Sequence, residues 1–254
     1  MSNWWFLLGV MAFALGISTV VGAAAGLCFR RLSHLWHDIF LGAACGIMLA
    51  AAILGLIVPA VELETSGALL LCVAGVFSGA LLISLLDRLT PHLHQVAGID
   101  TEVHHGNRGH SKVLLFVLAI AVHKIPEGLA AGVSFGTGSA GDVITVGGAL
   151  ILQNIPEAMV IIVPLLSIGI SVKRTLLISC GIGAISIVAT FAGFGMVSLM
   201  HRALPFMLGA AGGAMLYVIS DEMIPETHSH GYEKPATFAL IAGFMLVLII
   251  QMFA

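Results

Sequence analysis

The sequence predicts an all-α, polytopic membrane protein of eight transmembrane helices, and three observations carry that prediction. Hydrophobic residues make up 59% of the chain and charged residues only 9%, whereas charged residues are about 25% of an ordinary soluble domain. Mean hydropathy is +1.09. Apolar runs recur along the whole chain at the length of about 20 residues that a helix needs to cross a bilayer.

The first run, 4–27, opens with Trp4 and Trp5, side chains suited to the membrane–water interface. It lacks a basic leader and outlasts the apolar core of a signal peptide, so it reads as a retained span. The remaining runs are 38–61, 67–86, 113–136, 143–169, 175–198, 203–224 and 236–253. Their connections are short except for 87–112, a loop with His92, His94, His104, His105 and His110 among Gly, Pro and Thr. That composition reads as a flexible segment that does not fold alone. Residues 1–254 therefore read as one integral membrane domain with the loop inside it.

Lysine and arginine orient the bundle. Arg30, Arg31, Arg88, Arg108, Lys112, Lys173, Arg174 and Lys234 all fall on one side, and the connections of the other side hold Arg202. The basic side is expected to be cytoplasmic, with loop 87–112 there and both termini extracytoplasmic. The chain is thus expected as a multi-pass protein of the cell membrane, the inner membrane in a Gram-negative bacterium. A net charge of −3 without a basic patch excludes a nucleic-acid partner. Cys28, Cys45, Cys72 and Cys180 lie in apolar runs without CxxC spacing and read as packing residues. Thirty glycines, concentrated in the spans, read as faces where helix backbones approach closely. Such faces permit a homodimer without requiring one.

Two stretches carry the chemistry. HKIPEG begins at His123 in span four, and QNIPEA begins at Gln153 in span five. Each starts about ten residues into its span, roughly 15 Å at the helical rise, so both lie near the bilayer midplane on antiparallel helices. His123 and Glu127, like Gln153 and Glu157, are four residues apart and share a helical face. An imidazole, an amide oxygen and two carboxylates form a mixed nitrogen and oxygen shell for a divalent transition metal, zinc most naturally. Pro126 and Pro156 cannot donate to the preceding turn, so each helix is expected to bend and bare a carbonyl there. Discontinuous helices at mid-depth in corresponding positions mark transporter binding sites. A lone proline is ordinarily a kink and a lone histidine a packing residue. Two glutamates at the bilayer centre are another matter, because charge there is costly. The alternative is polar glue between helices.

Further polar residues flank this constellation. Asn154 sits beside Gln153 and belongs with second-site or pathway residues; Ser134, eleven residues beyond His123, returns to the same face. Glu62 and Glu64 close span two and Asp142 precedes span five, as an approach funnel or as plain solvated acids. Span seven ends in SDEMIPETHSH, holding Asp221, Glu222, Glu226, His228 and His230. Release roles for Glu222, Glu226 and His228 compete with a wet helix terminus. His34 and His37 in the first connection either join the loop histidines in holding emerging metal or are ordinary surface residues.

Eight spans, a long His-bearing loop between spans three and four, HKIPEG and QNIPEA together resemble the ZIP (Zrt-, Irt-like protein) family of metal-ion transporters, and the glutamine opening the second motif resembles its GufA-type branch. The resemblance covers essentially the whole chain. It implies an inverted-repeat bundle that carries zinc, and variously iron, manganese or cadmium, into the cytoplasm, with His123, Glu127, Gln153 and Glu157 binding the transported metal. It also implies an exit route at the end of span seven. Two departures stand out. Family members with a two-metal centre have asparagine after the first histidine, where this chain has Lys124, and an acidic residue in span six, which 175–198 lacks. The Lys124 ammonium is expected to stand in for a second cation, leaving one transported metal per site. Gln153 replaces the histidine of many relatives, and an amide is a weaker ligand that favours faster release.

The function expected is uptake of a divalent metal by alternating access through one mid-membrane site, with protons competing for the glutamates. No catalytic cofactor is implied, because the metal is the cargo. An intramembrane metal-dependent hydrolase is the rival from another class. It would be expected to show HExxH, or a serine or cysteine paired with histidine, and the spans carry neither. A non-transporting metal sensor, suggested by the loop histidines, is the third reading.

Overall fold

The computed structural model describes residues 2–28, 33–89, 108–167 and 169–253. His92, His94, His104, His105, Arg30 and Arg31 lie outside them. The described residues form eight long helices: α1 (Ser2–Cys28), α2 (His34–Glu62), α3 (Ala68–Leu89), α4 (Arg108–Val133), α5 (Ala140–Ser167), α6 (Val172–Leu199), α7 (His201–Thr227) and α8 (Glu233–Phe253). Each coincides with one predicted span. Seven are long and apolar enough to cross a membrane. The eighth, α4, is 26 residues long and carries the apolar run VLLFVLAIAV ahead of His123, Lys124 and Glu127. It starts five residues before the predicted span because RGHSK can wind into a helix without being apolar.

The helices pack in two groups. One contains α1, α4, α5 and α6, with α1 lying against α5 and α6 and α4 against α6; the other pairs α3 with α7 and α2 with α8. The groups meet where α2 crosses α5 and α4 passes α7. Lipid is as apolar as leucine, so helix association relies on close backbone approach and van der Waals packing. At Gly79 a Cβ would run into the Ala210 carbonyl oxygen of α7, and at Gly46 into the Leu240 carbonyl oxygen of α8. Between the groups the packing is looser: an apolar cavity of about 280 Å³ is lined by Gly79, Ile83, Ile125, Pro126, Leu129 and Met207 among others.

The helices are not interrupted at the motif prolines. α4 and α5 remain α-helical through Pro126 and Pro156. The irregular turns are in α2 and α7, where π-helical segments Ala51–Ile57 and Ile219–Met223 run directly into Val58-Pro59 and Ile224-Pro225. Val58 donates to the Ile53 carbonyl and Ile224 to the Ile219 carbonyl, five residues back, so the widened turn re-pairs backbone groups ahead of a residue with no N–H. Widened turns of this kind are frequent at functional sites.

Gly79→Val should force α3 away from α7, because the opposing atom is backbone and cannot rotate aside. A loss of about 1–3 kcal/mol is expected for such overpacking, read as a lowered melting temperature of detergent-solubilised protein. Gly195→Ala, where a Cβ meets nothing within 4 Å, should leave the melt unchanged or raise it.

Candidate metal site

The two motifs meet across α4 and α5. Lys124 is 1% exposed, and its ammonium donates to Glu127 Oε2 at 2.8 Å, Asn154 Oδ1 at 2.8 Å and Glu157 Oε2 at 2.6 Å. An ammonium has three donors, and all three are used. The i,i+3 spacing brings Lys124 and Glu127 together on α4, while Asn154 and Glu157 reach the same point from α5.

The amides complete the network. Gln153 Nε2 donates to Asn154 Oδ1 at 3.2 Å and to Glu157 Oε2 at 3.0 Å. Asn154 Nδ2 turns to α1, donating to the Leu15 carbonyl at 3.2 Å, Ser18 Oγ at 3.2 Å and Thr19 Oγ1 at 3.4 Å. The orientation of each amide follows from its partners. The donor side of Gln153 is consumed, and its Oε1, in a fully buried residue, has no hydrogen-bond partner. A buried acceptor left bare is costly and suited to a cation. Two carboxylates facing one ammonium carry a surplus negative charge when both are ionised, which also favours a cation.

His123 belongs to a different group. Its Nε2 lies 3.0 Å from Glu222 Oε1 of α7 and 3.5 Å from Asp87 Oδ1 of α3. Neither approach has the direction of a good N–H···O bond, since Nε2 is buried without a hydrogen-bond partner. The ligand atoms of Asp87, His123 and Glu222 all lie within 4.8 Å of one another. The structure thus divides the predicted set: Glu127, Gln153 and Glu157 surround Lys124, and His123 bridges from α4 to the other helix group.

The remaining candidates are dispersed. Ser134 is buried at the end of α4 with its Oγ donated to the Ala131 carbonyl at 2.9 Å. Glu62 and Glu64 are exposed and Asp142 is half-buried in the first turn of α5. Glu226 is half-buried. His228 Nδ1 is 2.9 Å from the Ile224 carbonyl and its Nε2 3.5 Å from Thr237 Oγ1, away from Glu222's group. In this group sequence reasoning missed Asp87, 4% exposed. Its signal was a carboxylate closing an apolar run, overshadowed by the histidines that follow it.

A sequence model described as "ZIP Zinc transporter" matches residues 99–251. The chain belongs to the ZIP zinc transporter family. It is 35% identical over 253 residues to the zinc transporter ZIPB of Bordetella bronchiseptica, covering 96% of this chain and 79% of that protein. It is 36% identical over 249 residues to the zinc transporter GufA of Myxococcus xanthus, covering 96% of this chain and 97% of the relative. The human zinc transporter ZIP11 is more distant, 26% identical over 314 residues, 91% of this chain and 92% of its own. The resemblance read from HKIPEG and QNIPEA is thereby established, and with family and apolar helices together the chain is a multi-pass membrane protein.

Lys124→Met removes the cation between Glu127 and Glu157. Breaking a buried pair of this kind is expected to cost about 3–5 kcal/mol. Thermal melts should show the loss, and added Zn2+ should recover part of it by occupying the vacated position.

Proposed function

We propose that this chain carries a divalent transition metal, zinc foremost, across the membrane into the cytoplasm. The metal binds in the bundle at Glu127, Gln153 and Glu157 and passes to His123 with Asp87 and Glu222. The observation that carries the reading is the Lys124 ammonium held between Glu127 and Glu157 beside the bare Gln153 Oε1. It already occupies the position of one cation. The donors left over suit a single further ion, and oxygen-rich coordination with one nitrogen group nearby fits zinc and its neighbours Cd2+, Fe2+ and Mn2+.

The helix grouping supports alternating access. Glu127, Gln153, Asn154 and Glu157 sit on α4 and α5 and are tied by Asn154 to α1, within one group. Asp87 and Glu222 belong to the other, so His123 makes a polar contact between them. The apolar cavity between α3, α4 and α7 offers little polar adhesion to a sliding or rocking motion. The direction of transport rests on the arginine and lysine bias, which makes the ends of α1, α3, α5 and α7 cytoplasmic. Glu222, Glu226 and His228 then lie on the release side and Glu62, Glu64 and Asp142 on the approach side.

Uptake of radioactive zinc into sealed proteoliposomes tests the proposal. Glu127→Ala and Glu157→Ala should each lower the rate by roughly 10–100-fold or more, the range seen when even supporting residues of a metal site are lost; unaltered uptake in both refutes the site. His123→Ala should slow uptake less than either, because it leaves the primary ligands intact. Lys124→Asn should raise the metal bound per chain from one equivalent to two at the mid-bundle site, measured by equilibrium dialysis on a background lacking His37 and His230.

A further inference from the structure

A second cluster of metal-ligating side chains lies at the start of α2 and in the link from α7 to α8, away from both motifs. Asp38 is completely buried in the first turns of α2. Its Oδ1 lies 3.1 Å from His37 Nδ1 and 2.9 Å from His230 Nδ1. Its Oδ2 is buried without a hydrogen-bond partner. The ligand atoms of His37, Asp38 and His230 all fall within 4.8 Å of one another. His34 stacks on the His230 ring with centroids 4.4 Å apart, and His37 meets that ring edge-on at 5.3 Å.

Ordinary histidine–carboxylate pairing accounts for one of the Asp38 oxygens and leaves the other bare in a buried position, which is costly. A tetrahedral Zn2+ with bonds of about 2.0–2.1 Å holds its ligand atoms about 3.3 Å apart. The two observed separations are within a few tenths of an ångström of that spacing. Two imidazoles and a carboxylate form the three-ligand set that leaves a fourth position for water or for His34. Two nitrogen donors favour zinc-like transition metals over Mg2+ or Ca2+, which prefer all-oxygen shells. The rings keep a path to solvent, with side chains 18% exposed at His37 and 24% at His230, while the carboxylate closes the inner side.

The fold presents these groups deliberately in space. α2 packs along α8 and its start meets the end of α7, and Gly231, at φ +83°, reverses the chain directly after His230 in a conformation glycine adopts freely. We propose that His37, Asp38 and His230 form a second divalent transition-metal site that clamps the start of α2 to the α7–α8 link. By alternation of the spans this corner is on the same membrane face as Asp87 and Glu222, and a metal there ties down the helix that carries Glu222.

Co2+ titration of the purified full-length chain, followed by visible absorption and equilibrium dialysis, tests the site without reference to transport. His37→Ala and His230→Ala should each remove one bound equivalent, with affinity falling roughly 100-fold or more, since loss of a direct ligand costs at least what loss of a supporting residue does. The Glu127→Ala/Glu157→Ala double variant should retain that equivalent. His230→Cys should add a thiolate-to-cobalt charge-transfer band that the parent chain lacks. Unchanged stoichiometry and affinity in the histidine variants, or absence of the new band, overturns the proposal. A failure of zinc uptake would leave these results standing, so the two readings fall separately.

Discussion

The structure depends on a lysine ammonium buried among carboxylates in the middle of a lipid-embedded bundle. An unpaired charge at that depth is costly, and Lys124 is stable there because Glu127, Asn154 and Glu157 accept all three of its protons. This requirement sets the relative depth of α4 and α5, since a shift of one helix by a single turn would strand the ammonium. Asn154 carries the constraint on to α1 through the Leu15 carbonyl and the Ser18 and Thr19 hydroxyls. Polar contacts fix the register of three helices whose apolar surfaces would tolerate many.

Outside that network, cohesion is geometric. Glycines at the α2–α8 and α3–α7 crossings let backbone approach backbone, and the apolar faces of the helices fill the remainder. The seam between the two helix groups combines an apolar gap with the contact of His123 to Asp87 and Glu222. Among the described residues, that contact brings an imidazole from one group against two carboxylates from the other.

Most of the architecture was legible in the sequence, because a span of lipid length must be apolar and charges are expelled to its ends. The pairing of the motifs was legible too, since glutamates and a lysine at matched depth must meet. What the periodicity did not settle was the partner of His123. It shares a face with Glu127 but sits one turn away along the axis, where the nearest carboxylates come from α3 and α7. Which helices neighbour α4 is a packing outcome that no single-helix pattern encodes, and Asp87 was missed for that reason. The winding irregularities escaped for a related one. Attention fell on Pro126 and Pro156, where the helices are uninterrupted, and the widened turns precede Pro59 and Pro225. A proline's missing donor can be absorbed by the turn before it or left to the neighbours, and the sequence alone does not say which.

The widened turn in α7 contains Glu222 itself. Its backbone hydrogen bonds reach five residues back in place of four, so this turn is wider than the turns of α7 before and after it. The carboxylate is therefore mounted on a turn wound more loosely than its neighbours, while the remainder of α7 lies against α3.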